Sequence, residues 1–363
     1  MRGPGVGRLT AQRLVAAALV IAVAGCRNPT SDALLAGLTC SIPTGFVADG
    51  GPGKDGIPAL TNPALVAPGD ATLAYLRDTD RVIGLHIGSE FIAVPINILW
   101  WHEVLNLDRG EVHLAITHCP LTGSSLVFDR SAVGNVAFGV SGLLYMNNLM
   151  MYDRTTPQSL WPQMARGARC GPRDGTALPL FPAVEMRWAN WRALHPATTT
   201  VSGATGYPRD YTAYPYGSYD IEINAQLLAP IPHLDTRRNP KERVLGIVSG
   251  AASAALPFGA LRALGEVAAV HLTVGGTPAV VFWNREAESA AAFVPVLDGV
   301  PLTFRAAGSR LVDEQEGGTW SADGRALSGP RAGRQLASVP DAFVAYWFAW
   351  AAFHPETALW SPA

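Results

Sequence analysis

Apolar and polar positions change places in short runs along most of this chain, a pattern that predicts strands joined by turns rather than long helices. Arg81 to Pro95 (RVIGLHIGSEFIAVP) alternates on both sides of Gly88-Ser89 and predicts a hairpin. Pro95 then opens INILWWHEVLN, a short helix with proline where its missing N–H is harmless. His113 to His118 predicts a strand, Cys119-Pro120-Leu121-Thr122-Gly123 a turn, and Leu126 to Arg130 the returning strand. Phe138 to Asp153 is β-prone, and Trp188–Leu194 and Trp347–Phe353 predict short Trp-rich helices.

Much of this pattern occurs twice. GPRDGTAL at Gly171 recurs as GPRAGRQL at Gly329. Trp161, Trp188, Trp191, His195-Pro196 and Thr198 recur 159 positions later as Trp320, Trp347, Trp350, His354-Pro355 and Thr357. Asp153 matches Asp313 within one residue, RVIG at Arg81 matches RVLG at Arg243, and His113-Leu114 is paired with His271-Leu272. The expected fold is mainly β with short helices (α+β), in two internally duplicated, pseudo-symmetric, strand-rich domains. Their bounds are 51–200 and 241–363, joined by a Tyr/Pro-rich linker over 201–240, itself either an aromatic lid or a clamp between the domains.

A repeat separates architecture from chemistry. His195 and His354 each precede a proline after an aromatic helix and read as structural, as do His113 and His271. Where the first half has THCPLTGSS between Ile116 and Leu126, the second is expected to have only GGTPA between Val274 and Val280. His102-Glu103 is answered by Leu264-Gly265. The candidate site is therefore His102, Glu103, His118, Cys119 and Asp153. Cys119, His102 and Met151, beside Met150, offer the thiolate, imidazole and thioether that suit copper, with zinc as the other candidate. Two other chemistries fit the same residues. One is a Cys119 nucleophile activated by His102 for acyl transfer or hydrolysis. The other is a non-catalytic module that binds a small ligand or an envelope protein.

Composition places the chain. It is 363 residues long, 48% hydrophobic and 15% charged, with 37 Gly and 28 Pro, so it can bury a large core. With a formal charge of -2 and no Lys/Arg-rich block, no nucleic-acid footprint is present. Arg2, Arg8 and Arg13 precede the apolar run Leu14–Val23 and then Val23-Ala24-Gly25-Cys26, the pattern of a bacterial lipoprotein signal over 1–25. Lipidation of Cys26 would tether the protein outside the cytoplasm, on a spacer over 26–50. Without those 25 residues, 24 basic face 29 acidic side chains, a charge of -5. Cys40, Cys119 and Cys170 remain, an odd number, and Cys40 with Cys170 is the expected disulfide.

GPGKDGIPAL, WWHEVLN, HCPLTGSS, VAFGVSGLLYMNNLMMYDR, SLWPQ, YPYGSYD and KERVLG together resemble the family of bacterial and archaeal proteins catalogued as domain of unknown function 3179, from about Gly51 to Thr357. The resemblance implies no particular reaction. It does imply a Cys-Pro-Leu-Cys turn, in which Thr122 takes the place of the second thiol here. A dithiol–disulfide cycle inside this turn is thereby excluded.

Overall fold

The computed structural model describes residues 35–362. The targeting segment and Cys26 lie outside the described residues. Short strands β1 (Val47–Asp49), β2 (Leu60–Thr61) and β3 (Leu65–Val66) lead into the hairpin β4 (Arg81–Ile87) and β5 (Glu90–Pro95). Helix α1 (Ile96–His102) follows, then the meander β6 (Val104–Arg109), β7 (Val112–Cys119) and β8 (Ser124–Asp129). Next come β9 (Phe138–Tyr145), β10 (Asn148–Asp153) and β11 (Leu160–Pro162), and the half closes with β12 (Val184–Arg187), α2 (Trp188–Leu194) and β13 (Thr199–Val201).

The second half runs β14 (Arg243–Ser249), β15 (Ala252–Pro257), α3 (Phe258–Arg262), β16 (Val267–Val274), β17 (Thr277–Asn284) and β18 (Ser289–Phe293). After the small pair β19 (Val296–Leu297) and β20 (Val300–Pro301) it continues through β21 (Phe304–Ala307), β22 (Arg310–Asp313) and β23 (Thr319–Trp320). It ends in β24 (Ala342–Tyr346), α4 (Trp347–Phe353) and β25 (Ala358–Leu359). The fold is mainly β with short helices.

The halves share strand order. One sheet reads β12-β4-β5-β13-β3 and its counterpart β24-β14-β15-β25. In both, the last strand of the half pairs parallel to the second hairpin strand, β13 with β5 and β25 with β15. The indole Nε1 of Trp191 donates to Thr198 Oγ1 at 2.9 Å, and that of Trp350 to Thr357 Oγ1 at 3.0 Å. Trp161 donates to Asp153 Oδ2 and Trp320 to Asp313 Oδ2, each at 3.0 Å.

The apolar faces of the two halves are interleaved. Val82, Ala93, Met186 and Trp191 of the first half share a core with Phe282, Phe293 and Trp320 of the second. Reciprocally, Phe128, Phe138 and Trp161 share one with Phe343, Trp347 and Trp350. Each hairpin sheet carries apolar residues on both faces, so one face packs on its own half and the other on the opposite half. Cys40 and Cys170 are joined by a disulfide, which ties the start of the described chain to the loop after β11.

Two expectations need correction. The helix predicted over Ile96–Asn106 stops at His102, because Glu103 takes φ 55° and ψ -35° and Val104 enters β6. The GGTPA segment is the β16–β17 turn, so its counterpart is the turn around Gly110 between β6 and β7. The counterpart of the Cys119 turn is the Asn284–Ser289 connection between β17 and β18. His113 and His271 accordingly lie on different strands, β7 and β16.

Candidate functional site

Cys119 ends β7, and successive strand residues point to opposite faces, so His118 and Cys119 serve different surroundings. The turn between them and β8 is tightly built. Gly123 has φ 57°, and a Cβ there would come within 2.5 Å of the Tyr346 ring, so only glycine fits. The backbone carbonyl of Thr122 accepts from Tyr346 N–H at 2.8 Å, fastening the turn to the second half.

The Thr122 hydroxyl belongs to a buried polar network. It lies 2.8 Å from Ser124 Oγ, which donates to Gln163 Oε1 at 2.6 Å. Asn148 Nδ2 donates to the same Gln163 oxygen at 2.9 Å, and Gln163 Nε2 donates to Thr117 Oγ1 at 2.7 Å. With every member partnered, such a network stiffens the core instead of offering a reactive group.

Cys119 is fully buried. Its Sγ accepts from Leu149 N–H at 3.3 Å and faces Asn147 O at 3.8 Å. Burial pushes the thiol up to about 11, and the nearby Glu103 carboxyl adds to the rise. A thiol so buried is protonated at neutral pH and is a poor nucleophile.

Glu103, not His102, is the residue of the WWHE segment that faces Cys119. Burial raises its carboxyl to about 8, opposed only in part by the hydrogen bond donated from Tyr216. Its backbone is also strained. Counted from the proline before each helix, Glu103 falls where the second half has Gly265, at φ 119°. A non-glycine residue held at positive φ costs on the order of 1–3 kcal/mol, and such strain gathers at functional sites.

His102 is buried, with both ring nitrogens engaged elsewhere. Nδ1 lies 2.7 Å from Pro58 O and Nε2 2.7 Å from the Tyr211 hydroxyl. The pairing with a carbonyl makes Nδ1 the donor, so Nε2 accepts from Tyr211. Burial lowers its pKa and the neighbouring Arg209 lowers it further, although the bond to Pro58 works the other way.

His118 points into the junction between the halves. Its Nδ1 donates to Ser125 Oγ at 3.0 Å, and Ser125 donates to Glu185 Oε2 at 2.8 Å. Glu185 Oε1 receives Arg81 at 2.6 Å and also Arg243. Burial pushes His118 down to about 3, helped by the two arginines and opposed by Glu185. For Glu185 burial alone would raise the pKa, but the arginines outweigh it and hold the carboxyl at about 2. His118, Ser125, Glu185 and the two arginines thus form one structural chain of hydrogen bonds across the junction, with the Nε of Arg243 left without a partner.

Asp153 leaves the candidate set for a different reason. It accepts from Trp161 Nε1, Ser159 N–H and Thr155 Oγ1, and Asp313 holds Trp320 in the same way, so the residue is architecture. Met151 is buried in β10 between Val140 and Trp161 in the strand register, and Met150 packs on the opposite side near Cys170. Among the described residues no group of three or more His, Cys, Asp or Glu side chains is gathered to hold a metal ion. Cys119 and His102 belong to no such group, and both nitrogens of His102 are already paired with Pro58 and Tyr211.

What lies in front of Glu103 is a pocket of about 310 Å³. Its walls include Trp100, Trp101, Leu121 and Val140, with Arg209 and Tyr216 from the linker. Residues 202–242 carry no strand or helix, yet they are fixed in place. Asn147 Oδ1 accepts from Leu228 N–H and Ala229 N–H, and Trp101 Nε1 donates to Asp210 O at 3.1 Å and Ala213 O at 3.3 Å. The linker is at once a clamp and the outer wall of the pocket. Sequence reading had singled out the tyrosines and the WWHE segment but not Arg209. It also missed Glu185, for which the duplicated Arg81 and Arg243 were the available signal.

Among the described residues no helix is long and apolar enough to cross a membrane. No curated protein and no solved structure matches the chain. The model of the family described as "Protein of unknown function (DUF3179)" matches residues 54–357, which takes in the turn, Glu103 and most of the pocket wall, and the chain belongs to that family.

Proposed function

We propose that this chain is a ligand-binding protein of the bacterial cell envelope, tethered by lipid on Cys26, whose site is the pocket in front of Glu103. The observation that carries the reading is one buried carboxyl, uncharged at neutral pH, at the base of a largely apolar pocket of about 310 Å³. Ligand sites are typically concave and mostly apolar, with few polar groups placed to orient the ligand. The strained backbone of Glu103, where the second half has glycine, supports selection for that side chain at that place.

The shared strand order supports an internal duplication, with the pocket in front of Glu103 built on the first copy and the linker. The Cys40–Cys170 disulfide supports an oxidising compartment, in keeping with the targeting segment. Nucleophilic catalysis draws no support from a buried, protonated thiol without a free base beside it, and metal binding none from a scattered donor set.

Two experiments test the proposal. Ligand-observed NMR with a panel of small aromatic and aliphatic compounds should give binding signals with the wild type that vanish in Leu143→Trp, which adds an indole to the pocket wall. Signals of equal strength in both proteins would place any binding elsewhere. Incorporation of a labelled acyl chain should be lost in Cys26→Ala, and persistence of the label would remove the lipid anchor.

A further inference from the structure

The polarity of the pocket from rim to base narrows what can occupy it. Arg209 is exposed at the rim, and its guanidinium carbon lies 5.3 Å from the centre of the Trp101 ring. Among the described residues it forms no ion pair. The neighbouring Asp210 carboxylate is folded back on Thr212, accepting from its N–H at 2.9 Å and its hydroxyl at 2.6 Å. The rim therefore presents a cation without a counter-charge. An anionic group on a ligand would find there the bidentate, planar donor that arginine supplies.

The base is opposite in character. Glu103 is 5% exposed, beside Cys119 and under the hydroxyl of Tyr216. Tyr216 spends its proton on the carboxyl, so the proton of Glu103 itself is left to donate. A ligand's charged carboxylate would gain less here than at the rim, while a hydroxyl or carbonyl oxygen would be matched.

Between the two ends the walls are flat and fixed. Trp101 is held by two carbonyls of the linker, and Trp100 packs edge-on against Tyr214 with ring centres 5.2 Å apart. Prearranged indole faces favour a planar ring, because stacking on them costs no side-chain ordering. A volume of about 310 Å³ lies at the lower end of small-molecule pockets, room for a ring with short substituents rather than a lipid or a peptide.

We propose that the ligand is a small aromatic carboxylate, its carboxylate on Arg209, its ring against Trp100 and Trp101, and a hydroxyl or carbonyl at the far end on Glu103. This rests on the pocket being a ligand site, and the test separates the two claims. The full-length protein is titrated with 4-hydroxybenzoate, 4-hydroxybenzamide and octanoate, as wild type, Arg209→Gln, Glu103→Gln and Leu143→Trp.

In the wild type 4-hydroxybenzoate should bind about tenfold tighter than the amide, the size of one charge-assisted contact at a partly solvated rim. Arg209→Gln should abolish that difference between acid and amide, whereas Glu103→Gln should weaken both compounds. Octanoate binding as tightly as 4-hydroxybenzoate overturns the aromatic assignment. Equal binding of acid and amide to the wild type overturns the anionic end. In either case, amide binding that disappears in Leu143→Trp leaves the pocket itself standing as the site. Absence of binding by all three compounds to the wild type overturns the ligand class proposed here, and the wider panel then decides the pocket.

Discussion

Trp191 lies across Gly84 so closely that a Cβ on the glycine would meet its indole ring at 2.2 Å. Trp350 covers Gly246 in the same way, at 2.0 Å. Both glycines sit in the first hairpin strand of their halves and both indoles in the following Trp-rich helix, so each half closes its own helix onto its own sheet by the same contact.

Gly84→Ala and Gly246→Ala should therefore each destabilise the protein by about 1–3 kcal/mol, the usual range for overpacking a dense core. Chemical denaturation followed by tryptophan fluorescence measures it. Similar losses in the two variants are expected, and a loss below about 0.5 kcal/mol in either would mean that the indole moves aside at little cost.

Glu185 is the single carboxylate that receives both Arg81 and Arg243 at the junction of the halves. Glu185→Gln keeps the shape and removes the charge, leaving two half-buried guanidinium groups in mutual repulsion, with Glu288 at 3.6 Å as the remaining acidic neighbour of Arg243. The expected loss is about 3–5 kcal/mol by denaturant titration. Restored stability in Glu185→Gln with Arg243→Met would identify the repulsion as the cause.

Glu103 should make stability fall on the alkaline side. The folded protein keeps this proton up to about 8, while the unfolded chain releases it near 4.5. Between those values the folded state binds more protons, so stability decreases as pH rises and the loss is complete above the folded pKa. His118 titrates near 6.5 when unfolded and at about 3 when folded, so its opposite contribution is confined to more acidic pH. The slope between pH 6.5 and 8 is at most about 1.4 kcal/mol per pH unit from this one group. Glu103→Gln should flatten that slope, and an unchanged slope would mean that Glu103 is already ionised in the folded protein.

Cys119 should resist alkylation in the native protein. A thiol pushed up to about 11 and fully buried presents almost no thiolate at neutral pH. Iodoacetamide labelling at pH 7.5 is expected to follow the unfolding rate and to become rapid in denaturant. Native labelling faster than that of a small-molecule thiol would revive the nucleophile.

The strands and helix starts were legible because they are local. Gly88 at φ 61° turns the β4–β5 hairpin where the alternation placed it, and α1 starts directly after Pro95, which ends β5 and caps the helix. The helix end was not legible, since INILWWHEVLN reads as one periodic segment until Glu103 is forced into positive φ. His102 and Glu103 are adjacent, and nothing in their order says which one faces Cys119. The break in the helix turns Glu103 toward the thiol and leaves His102 to Pro58 and Tyr211.

By itself the sequence determined the class of fold and the recurrence of its motifs, because periodicity and recurrence are properties of order along the chain. Only the tertiary structure decided which residues share an environment. It joined Arg209 to Glu103 across a pocket, tied Arg81 and Arg243 to one carboxylate, and turned His102 away from Cys119 onto Pro58 and Tyr211. Burial and charge pairing depend on the approach of segments about a hundred residues apart, and on those two quantities rests the state of every titratable group at the site.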